Sequence, residues 1–280
     1  MSRRESFHDP VREGAGYDPH VDLRGSGPPL VLVPGMDGTG RLFHRQVPGL
    51  ARSHRVATYA LRDRAGSMEE LVDDLDGVIR RAAPRGEPAT VVGESFGGTL
   101  ALSFALARPE RVAALVVLNS FPYFRPRVRL RLAMAGIRMI PWGAMPLVRR
   151  ATAFRLHSRF TGDAEIRRFL DVTRATTKEG YLARLRILTR YDVRARLGEI
   201  RAPTLFLAAE MDHLVPSVEQ ARWMAERVPG AALRVLEGHG HICMIAPGLD
   251  LARLLREWRE DREETSQGVA GPAGRVSGGG

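Results

Sequence analysis

Residues 93–97 read Gly-Glu-Ser-Phe-Gly and fit the pattern G-x-S-x-G. This pattern is typical of a tight turn from a strand into a helix, which exposes the serine hydroxyl while the glycines make room for neighbouring backbone. An apolar, strand-like run at 89–92 precedes it, and a helix-like run of small residues at 96–107 follows it. We therefore predict that Ser95 is a nucleophile. The alternative is a chance glycine turn before a helix.

A serine hydroxyl at its ordinary pKa is a weak nucleophile, so it needs a histidine base, which an acid must orient. Where a serine lies on such a turn, the acid and then the histidine are expected later in the chain. Asp212 and its neighbour Glu210 follow one apolar run, and His239 and His241 follow the next. These residues are the candidates for acid and base, and we expect His213 to be a surface loop residue.

The elements that must position these residues are short apolar strands alternating with helices. The predicted helices are 68–82, 96–107, 218–227 and 249–258. The predicted strands are 29–33, 55–59, 89–92, 112–118, 204–208 and 232–236. Continuously apolar strands separated by helices indicate an α/β fold with a mostly parallel, doubly wound sheet covered on both faces.

The alternation breaks between residues 122 and 196, where several amphipathic helical stretches replace strands. We interpret this segment as a helical cap inserted above the carboxyl edge of the sheet, where ligands bind in open α/β sheets. The core is then formed by 17–121 and 197–259. We predict that 1–16 is an N-terminal tail and that the Gly-rich 260–280 is a disordered C-terminal tail.

The positive charge is local. The chain carries a net charge of +10, and 18 basic against five acidic residues lie between 122 and 196. This uneven distribution argues against a general nucleic-acid coat. The single cysteine, Cys243, excludes an internal disulfide. No secretory signal and no apolar run of about 20 residues is present, so we expect a cytoplasmic protein without a transmembrane segment.

Three segments resemble the signature segments of the α/β-hydrolase superfamily, especially its serine-nucleophile esterase and thioesterase-like members. They are 91–98, 212–216 and 240–247, and the resemblance covers about 28–258, with the cap matched least. In such proteins the base typically follows a glycine and precedes a proline by a few residues. This resemblance favours His241, followed by Pro247, over His239 as the base. The Leu-Val-Pro turn that follows favours Asp212 over Glu210 as the acid.

The resemblance also implies two backbone donors for a developing oxyanion. One is the N–H of Phe96, directly after the nucleophile. The other is the N–H of Met36, in the loop 34–40, which reads Pro-Gly-Met-Asp-Gly-Thr-Gly. Many relatives have His-Gly where this chain has Pro-Gly, so the loop geometry is open. The loop resembles those of acyl-ester hydrolases and acyltransferases, and a glycine-rich turn without chemistry is the alternative.

A serine at this turn implies attack on esters or thioesters, acyl transfer, or less often carbon–carbon bond hydrolysis. We expect a carboxylic ester or thioester hydrolase that forms an acyl-enzyme on Ser95. The alternatives are an acyltransferase with the same three residues and a non-catalytic member that binds a ligand in its pocket. No cofactor is expected. No metal is expected either, because the histidines do not form a spaced ligand set, and we expect Cys243 to be a packed small residue.

The predicted cap places basic residues on both sides of an apolar stretch. Residues 125–132 alternate arginine with apolar residues, 133–148 are mostly apolar, and Arg149 and Arg150 follow. This arrangement suits an acyl substrate with an anionic head group, such as acyl-CoA, an acyl carrier protein or a phospholipid surface, so peripheral membrane contact is an open hypothesis. The plainer interpretation, which we favour, is a lid whose arginines are solvated.

Overall fold

The computed structural model describes residues 19–124, 142–144, 147 and 156–269. Within these ranges the chain forms a seven-stranded sheet in the order β1-β3-β2-β4-β5-β6-β7. The first strand is antiparallel to its neighbour and all others pair in parallel. The strands are β1 Val21–Arg24, β2 Pro29–Val33, β3 Arg55–Tyr59, β4 Ala89–Glu94, β5 Val112–Leu118, β6 Thr204–Ala209 and β7 Ala232–Leu236.

Helices cover both faces of this sheet. They are α1 Val47–Leu50, α2 Met68–Ala82, α3 Phe96–Ala107, α4 Asp163–Thr173, α5 Lys178–Arg190, α6 Ser217–Ala225 and α7 Leu251–Val269. Short 3-10 turns lie at Arg41–Phe43, Pro109–Arg111, Trp142–Ala144 and Arg194–Glu199. The predicted α/β fold with a mostly parallel, doubly wound sheet is confirmed.

The two faces of the sheet pack into separate cores because neighbouring strand residues point in opposite directions. Val31 and Val91 belong to the cluster that packs under α2, α3 and α6. Leu30 and Val92 belong to the opposite cluster, with α1 and α7. Both β2 and β4 are buried along their whole length, which agrees with the mostly apolar sequence of these two strands.

Two expectations about the ends of the chain need correction. Strand β1 was not predicted, because a short, half-exposed edge strand has no continuous apolar pattern. The predicted tail 260–280 is wrong in its first ten residues, since α7 extends to Val269. Arg234 pairs with Glu257 at 2.8 Å and with Asp261 at 2.7 Å, which ties this helix to β7. The remaining residues 270–280 and the predicted tail 1–16 lie outside the described residues.

The predicted cap is described in part. Its first and last residues lie side by side, since Val193 N–H donates to Pro122 O at 2.8 Å and Phe124 N–H donates to Tyr191 O at 3.3 Å. Between them the structure describes α4 and α5, whereas the arginine-rich 125–132 and residues 133–141 and 148–155 lie outside the described residues. Among the described residues, no helix has the length and apolar character needed to cross a membrane.

Candidate active site

Ser95 occupies a strained turn between β4 and α3. Its backbone has φ 56° and ψ −118°, a combination that residues with a side chain rarely adopt. The flanking glycines are required by space: a Cβ on Gly93 would lie 2.2 Å from Gly97 O, and a Cβ on Gly97 would lie 2.1 Å from Val33 O. The tight packing of α3 against the end of β2 therefore forces the turn that presents the serine side chain.

The three predicted side chains meet at the carboxyl edge of the sheet. The Ser95 Oγ lies 3.0 Å from His241 Nε2, and Asp212 Oδ2 lies 2.7 Å from His241 Nδ1. Ser95 follows β4, Asp212 follows β6 and His241 follows β7. The parallel strands therefore bring Ser95 and His241 together although they are 146 positions apart in the chain. With the carboxylate on Nδ1–H, the other ring nitrogen is free to accept the serine proton.

Asp212 is held by more than the histidine. Its Oδ1 accepts hydrogen bonds from the N–H groups of Leu214 and Val215, each at 2.9 Å. Its Oδ2 also accepts from the hydroxyl of Ser217. Burial by itself would raise the pKa of Asp212, but the charge of His241 and these hydrogen bonds outweigh burial and lower it. The acid therefore stays ionised beside the ring.

The opposite balance acts on His241. Burial lowers its pKa, but the charge and the hydrogen bond of Asp212 raise it further, so the net pKa lies above the ordinary value. The ring is also positioned through its backbone, because Asn119 Nδ2 donates to His241 O at 2.8 Å while its Oδ1 accepts from Ala209 N–H at 2.7 Å. No sequence motif marks Asn119 or Ser217, and the one signal is that Asn119 directly follows an apolar strand.

The competing residues lie elsewhere. His239 Nδ1 is 2.9 Å from the hydroxyl of Ser158, which also accepts from Gly240 N–H at 3.2 Å. Glu210 accepts from Gly238 N–H at 2.9 Å, and His213 is exposed. Neither His239 nor Glu210 has a hydrogen bond to Ser95 or His241 among the described residues. The geometry brings Asp212 and His241 to Ser95, and not their competitors.

The loop after β2 lies against the nucleophile. A Cβ on Gly35 would lie 3.7 Å from Ser95 Cβ and 3.3 Å from Glu94 O, so this backbone passes directly beside the turn. Within residues 19–124 and 156–269, neither Met36 N–H nor Phe96 N–H donates a hydrogen bond to the protein. Both predicted oxyanion donors thus keep a proton for another acceptor; that they bind a substrate oxygen stays a prediction.

A buried arginine from α5 holds this loop. The side chain of Arg184 is only 1% exposed, and its Nε donates to Met36 O at 3.1 Å. Its Nη2 approaches Asp37 O at 3.5 Å, and the hydroxyl of Thr176 donates to the same oxygen at 3.0 Å. Asp63 lies 3.9 Å from the Arg184 guanidinium. No motif marks Arg184, because its role depends on contact between distant segments.

Two buried titratable groups lie beside the site. Glu94, directly before the nucleophile, receives a hydrogen bond from Met244 N–H, and burial raises its pKa to about 8. Burial also raises the pKa of the Cys243 thiol, so this cysteine is a packed, protonated residue rather than a reactive one. In the described ranges, no cluster of three or more His, Cys, Asp or Glu side chains is placed to hold a metal ion.

Comparison with known proteins gives a consistent result. Residues 28–246 match the family model of the alpha/beta hydrolase fold. A protein of Azorhizobium caulinodans, assigned as the carbamate hydrolase RutD, is 29% identical over 244 residues, covering 83% of this chain and 91% of that protein. An esterase of Thermogutta terrifontis superposes with a TM-score of 0.77 at 22% identity, covering 90% of this chain and 97% of that one. An esterase of Exiguobacterium antarcticum has a TM-score of 0.73 at 21% identity, with coverages of 90% and 94%.

Proposed function

The chain belongs to the alpha/beta hydrolase fold family and is a hydrolase, and we propose that it cleaves carboxylic esters or thioesters through an acyl-enzyme on Ser95. The observation that carries this proposal is the continuous hydrogen-bonded series of Ser95 Oγ, the His241 ring and Asp212, at 3.0 and 2.7 Å. Such a series gives a serine the base that it needs to become a nucleophile.

In the proposed reaction, Ser95 Oγ attacks the acyl carbonyl while His241 Nε2 takes the hydroxyl proton. Asp212 stabilises the imidazolium that forms and holds the ring in the required tautomer. The imidazolium then gives its proton to the leaving alcohol or thiol, which departs and leaves the acyl group on the serine. Water, deprotonated by the same histidine, attacks the acyl-enzyme; the acyl–Oγ bond breaks, His241 returns the proton to Ser95 Oγ, and the carboxylic acid is released.

Negative charge develops on the carbonyl oxygen in both steps, and we assign Met36 N–H and Phe96 N–H to receive it. Support comes from the close approach of Gly35 to Ser95 and from the position of Phe96 as the first residue of α3. The N–H groups of a first helical turn have no acceptor within the helix, and they lie at its positive end. The loss of one such donor typically lowers kcat by about 10²–10³-fold.

A carbamate is the second candidate substrate. It is favoured by the relatives assigned as carbamate hydrolases, which are 29% and 28% identical to this chain. A carbamate has the same electrophilic carbonyl, so Ser95 would form a carbamoyl-enzyme by the same proton transfers. The two candidates therefore differ in the substrate pocket and not in the catalytic residues.

The first test is covalent labelling with a fluorophosphonate probe at neutral pH, which captures a serine activated by a base. We expect labelling of the wild type, and none in the Ser95→Ala or His241→Ala variants. Labelling that persists in the Ser95→Ala variant would refute the assignment of Ser95 as the nucleophile. A panel of chromogenic esters of increasing chain length, acyl thioesters and a carbamate then separates the substrate classes. An added alcohol acceptor tests for acyl transfer, since the transferred product would exceed the free acid.

A further inference from the structure

A basic cleft opens beside the candidate active site. Its volume is about 850 Å³, and it lies between the edge strand β1 with its neighbour β3, the segment around α1, and helix α4. None of the three residues proposed to act in catalysis lines it. This volume is within the range of pockets that enclose a small ligand, which is about 300–1,000 Å³.

The rim of this cleft is strongly basic. It carries four arginines and one acidic residue, Asp22. Asp22 pairs with Arg24 at 3.1 Å. In the described part of the chain, the exposed Arg52 and Arg168 form no ion pair. The pKa of His44, which also lines the cleft, is lowered mainly by burial and in second place by the charge of Arg168. The cleft is therefore positive and has arginine side chains available for an anion.

The wall of the cleft is apolar. Val47, Pro48, Ala51 and Val172 line it. A site that joins an apolar wall to several guanidinium groups suits a ligand with a ring or hydrocarbon part that also carries phosphates. Guanidinium groups bind phosphate oxygens in a bidentate manner, which makes arginine the preferred residue for such ligands.

The cleft also lies close to Ser95. Thr39 and Gly40 line it, and they end the same loop in which Gly35 contacts the nucleophile. Strand β3 ends at Tyr59 and is two positions from β4 in the sheet. Since neighbouring strands are spaced by about 4.8 Å, the cleft begins about 10 Å from the turn at Ser95. One extended substrate can therefore occupy both places.

We propose that this cleft binds the phosphate-bearing end of a coenzyme A thioester whose acyl carbonyl lies at Ser95. The inference rests on the proposed hydrolase function for its chemistry, but binding of the phosphate-bearing part does not depend on turnover. The proposal gives Arg52 and Arg168 a role in binding, since neither the three proposed catalytic residues nor the apolar core requires these arginines.

Direct binding tests the site without catalysis. The affinity of coenzyme A for the Ser95→Ala protein is measured by calorimetry, with and without the further changes Arg52→Gln and Arg168→Gln. We expect Kd to rise about tenfold with these changes, because charge-assisted hydrogen bonds to phosphate are lost. The matched control removes two exposed arginines elsewhere, Arg201→Gln and Arg256→Gln, and Kd should stay within about twofold.

Several outcomes would overturn the proposal. One is equal Kd values for the cleft variant and the control variant. Another is inorganic phosphate binding as tightly as coenzyme A, which would make the cleft a site for small anions only. A third is the absence of measurable binding by the Ser95→Ala protein. Each of these leaves the proposed hydrolase function unaffected, because none depends on cleavage.

Kinetics then connects the cleft to the reaction. Hexanoyl-coenzyme A is compared with S-hexanoyl-N-acetylcysteamine, a neutral thioester of the same acyl group. We divide kcat/KM for hexanoyl-coenzyme A by kcat/KM for the neutral thioester. We expect this ratio to fall about tenfold in the Arg52→Gln/Arg168→Gln variant and to stay at the wild-type value in the control variant. An unchanged ratio would contradict the role of the cleft. If the wild type cleaves neither thioester nor any ester, the proposed function fails, whatever coenzyme A binding shows.

Discussion

The guanidinium of Arg184 donates from Nε to the backbone oxygen of Met36 at 3.1 Å. The arginine comes from α5, in the segment predicted as the cap, and the methionine from the loop that follows β2. The arginine side chain is 1% exposed, and a buried charge is stabilised by hydrogen bonds to acceptors such as this carbonyl oxygen. This contact therefore fixes the peptide unit next to a proposed oxyanion donor.

The substitution Arg184→Met tests this role. We expect kcat to fall by about 10–100-fold, with KM changed much less, because a displaced Met36 N–H weakens binding of the transition state more than binding of the ester. The free energy of unfolding should also fall, by about 1–3 kcal/mol, since buried carbonyl oxygens lose their donors. Steady-state kinetics with a neutral ester and urea denaturation measure the two effects.

A matched control separates positioning from general stability. Arg111 is also mostly buried, 19% exposed, and pairs with Asp76 at 3.0 Å far from the site. Arg111→Met should lower stability while kcat stays near the wild-type value. An Arg184→Met protein that loses stability but keeps its kcat would show that the arginine only supports the fold.

The two neighbouring histidines should behave differently. His241→Ala removes the base, and we expect kcat to fall by at least about 10³-fold. His239→Ala removes the contact with Ser158, so it should cost about 1 kcal/mol of stability and leave most of the activity. Ester hydrolysis and thermal unfolding of both variants provide the measurement. Comparable loss of activity in the two variants would refute the assignment of His241.

The pH dependence of kcat/KM reports the base of the free enzyme. The reaction needs a neutral His241, so activity should rise with pH to a plateau. Because Asp212 holds the pKa of His241 above its ordinary value of 6.5, the midpoint of this rise should lie above pH 6.5. In Asp212→Asn both the charge and the accepting oxygen are lost, so the midpoint should move to lower pH and the plateau should fall by about 10³–10⁴-fold. A midpoint that stays in place would contradict the proposed coupling.

The buried Glu94 should make the free energy of unfolding depend on pH. Burial raises its pKa from 4.5 to about 8, so the folded state holds this proton more tightly than the unfolded state does. Its contribution to stability is complete below pH 4.5 and is lost as pH rises to about 8. Glu94→Gln, which has no proton to lose, should therefore gain stability relative to the wild type over this range and then level off. Urea denaturation at several pH values measures the difference; a constant difference would show that Glu94 is not titrating there.

The strands, most helices and the three catalytic candidates could be predicted because their signals are local. Apolar runs indicate which segments are buried, and turn residues indicate where a strand or helix ends. The chain order of serine, acid and histidine then limits which residues can act together. The exceptions have physical reasons. Strand β1 is short and half exposed, and the charged end of α7 resembles a solvated tail although Arg234 pairs with it.

The sequence by itself determined the parallel sheet, the turn at Ser95 and the candidates for acid and base. The reason is that backbone conformation and burial in these elements depend on residues that are close together in the chain. The tertiary structure placed His241, and not His239, within hydrogen-bond distance of Ser95. It alone showed the contact of Arg184 with the Met36 loop and the basic cleft lined by Arg52 and Arg168. These features join residues more than a hundred positions apart. The contact of Arg184 and the basic cleft depend on how α4 and α5 pack over the sheet, and no local pattern in the chain encodes that packing.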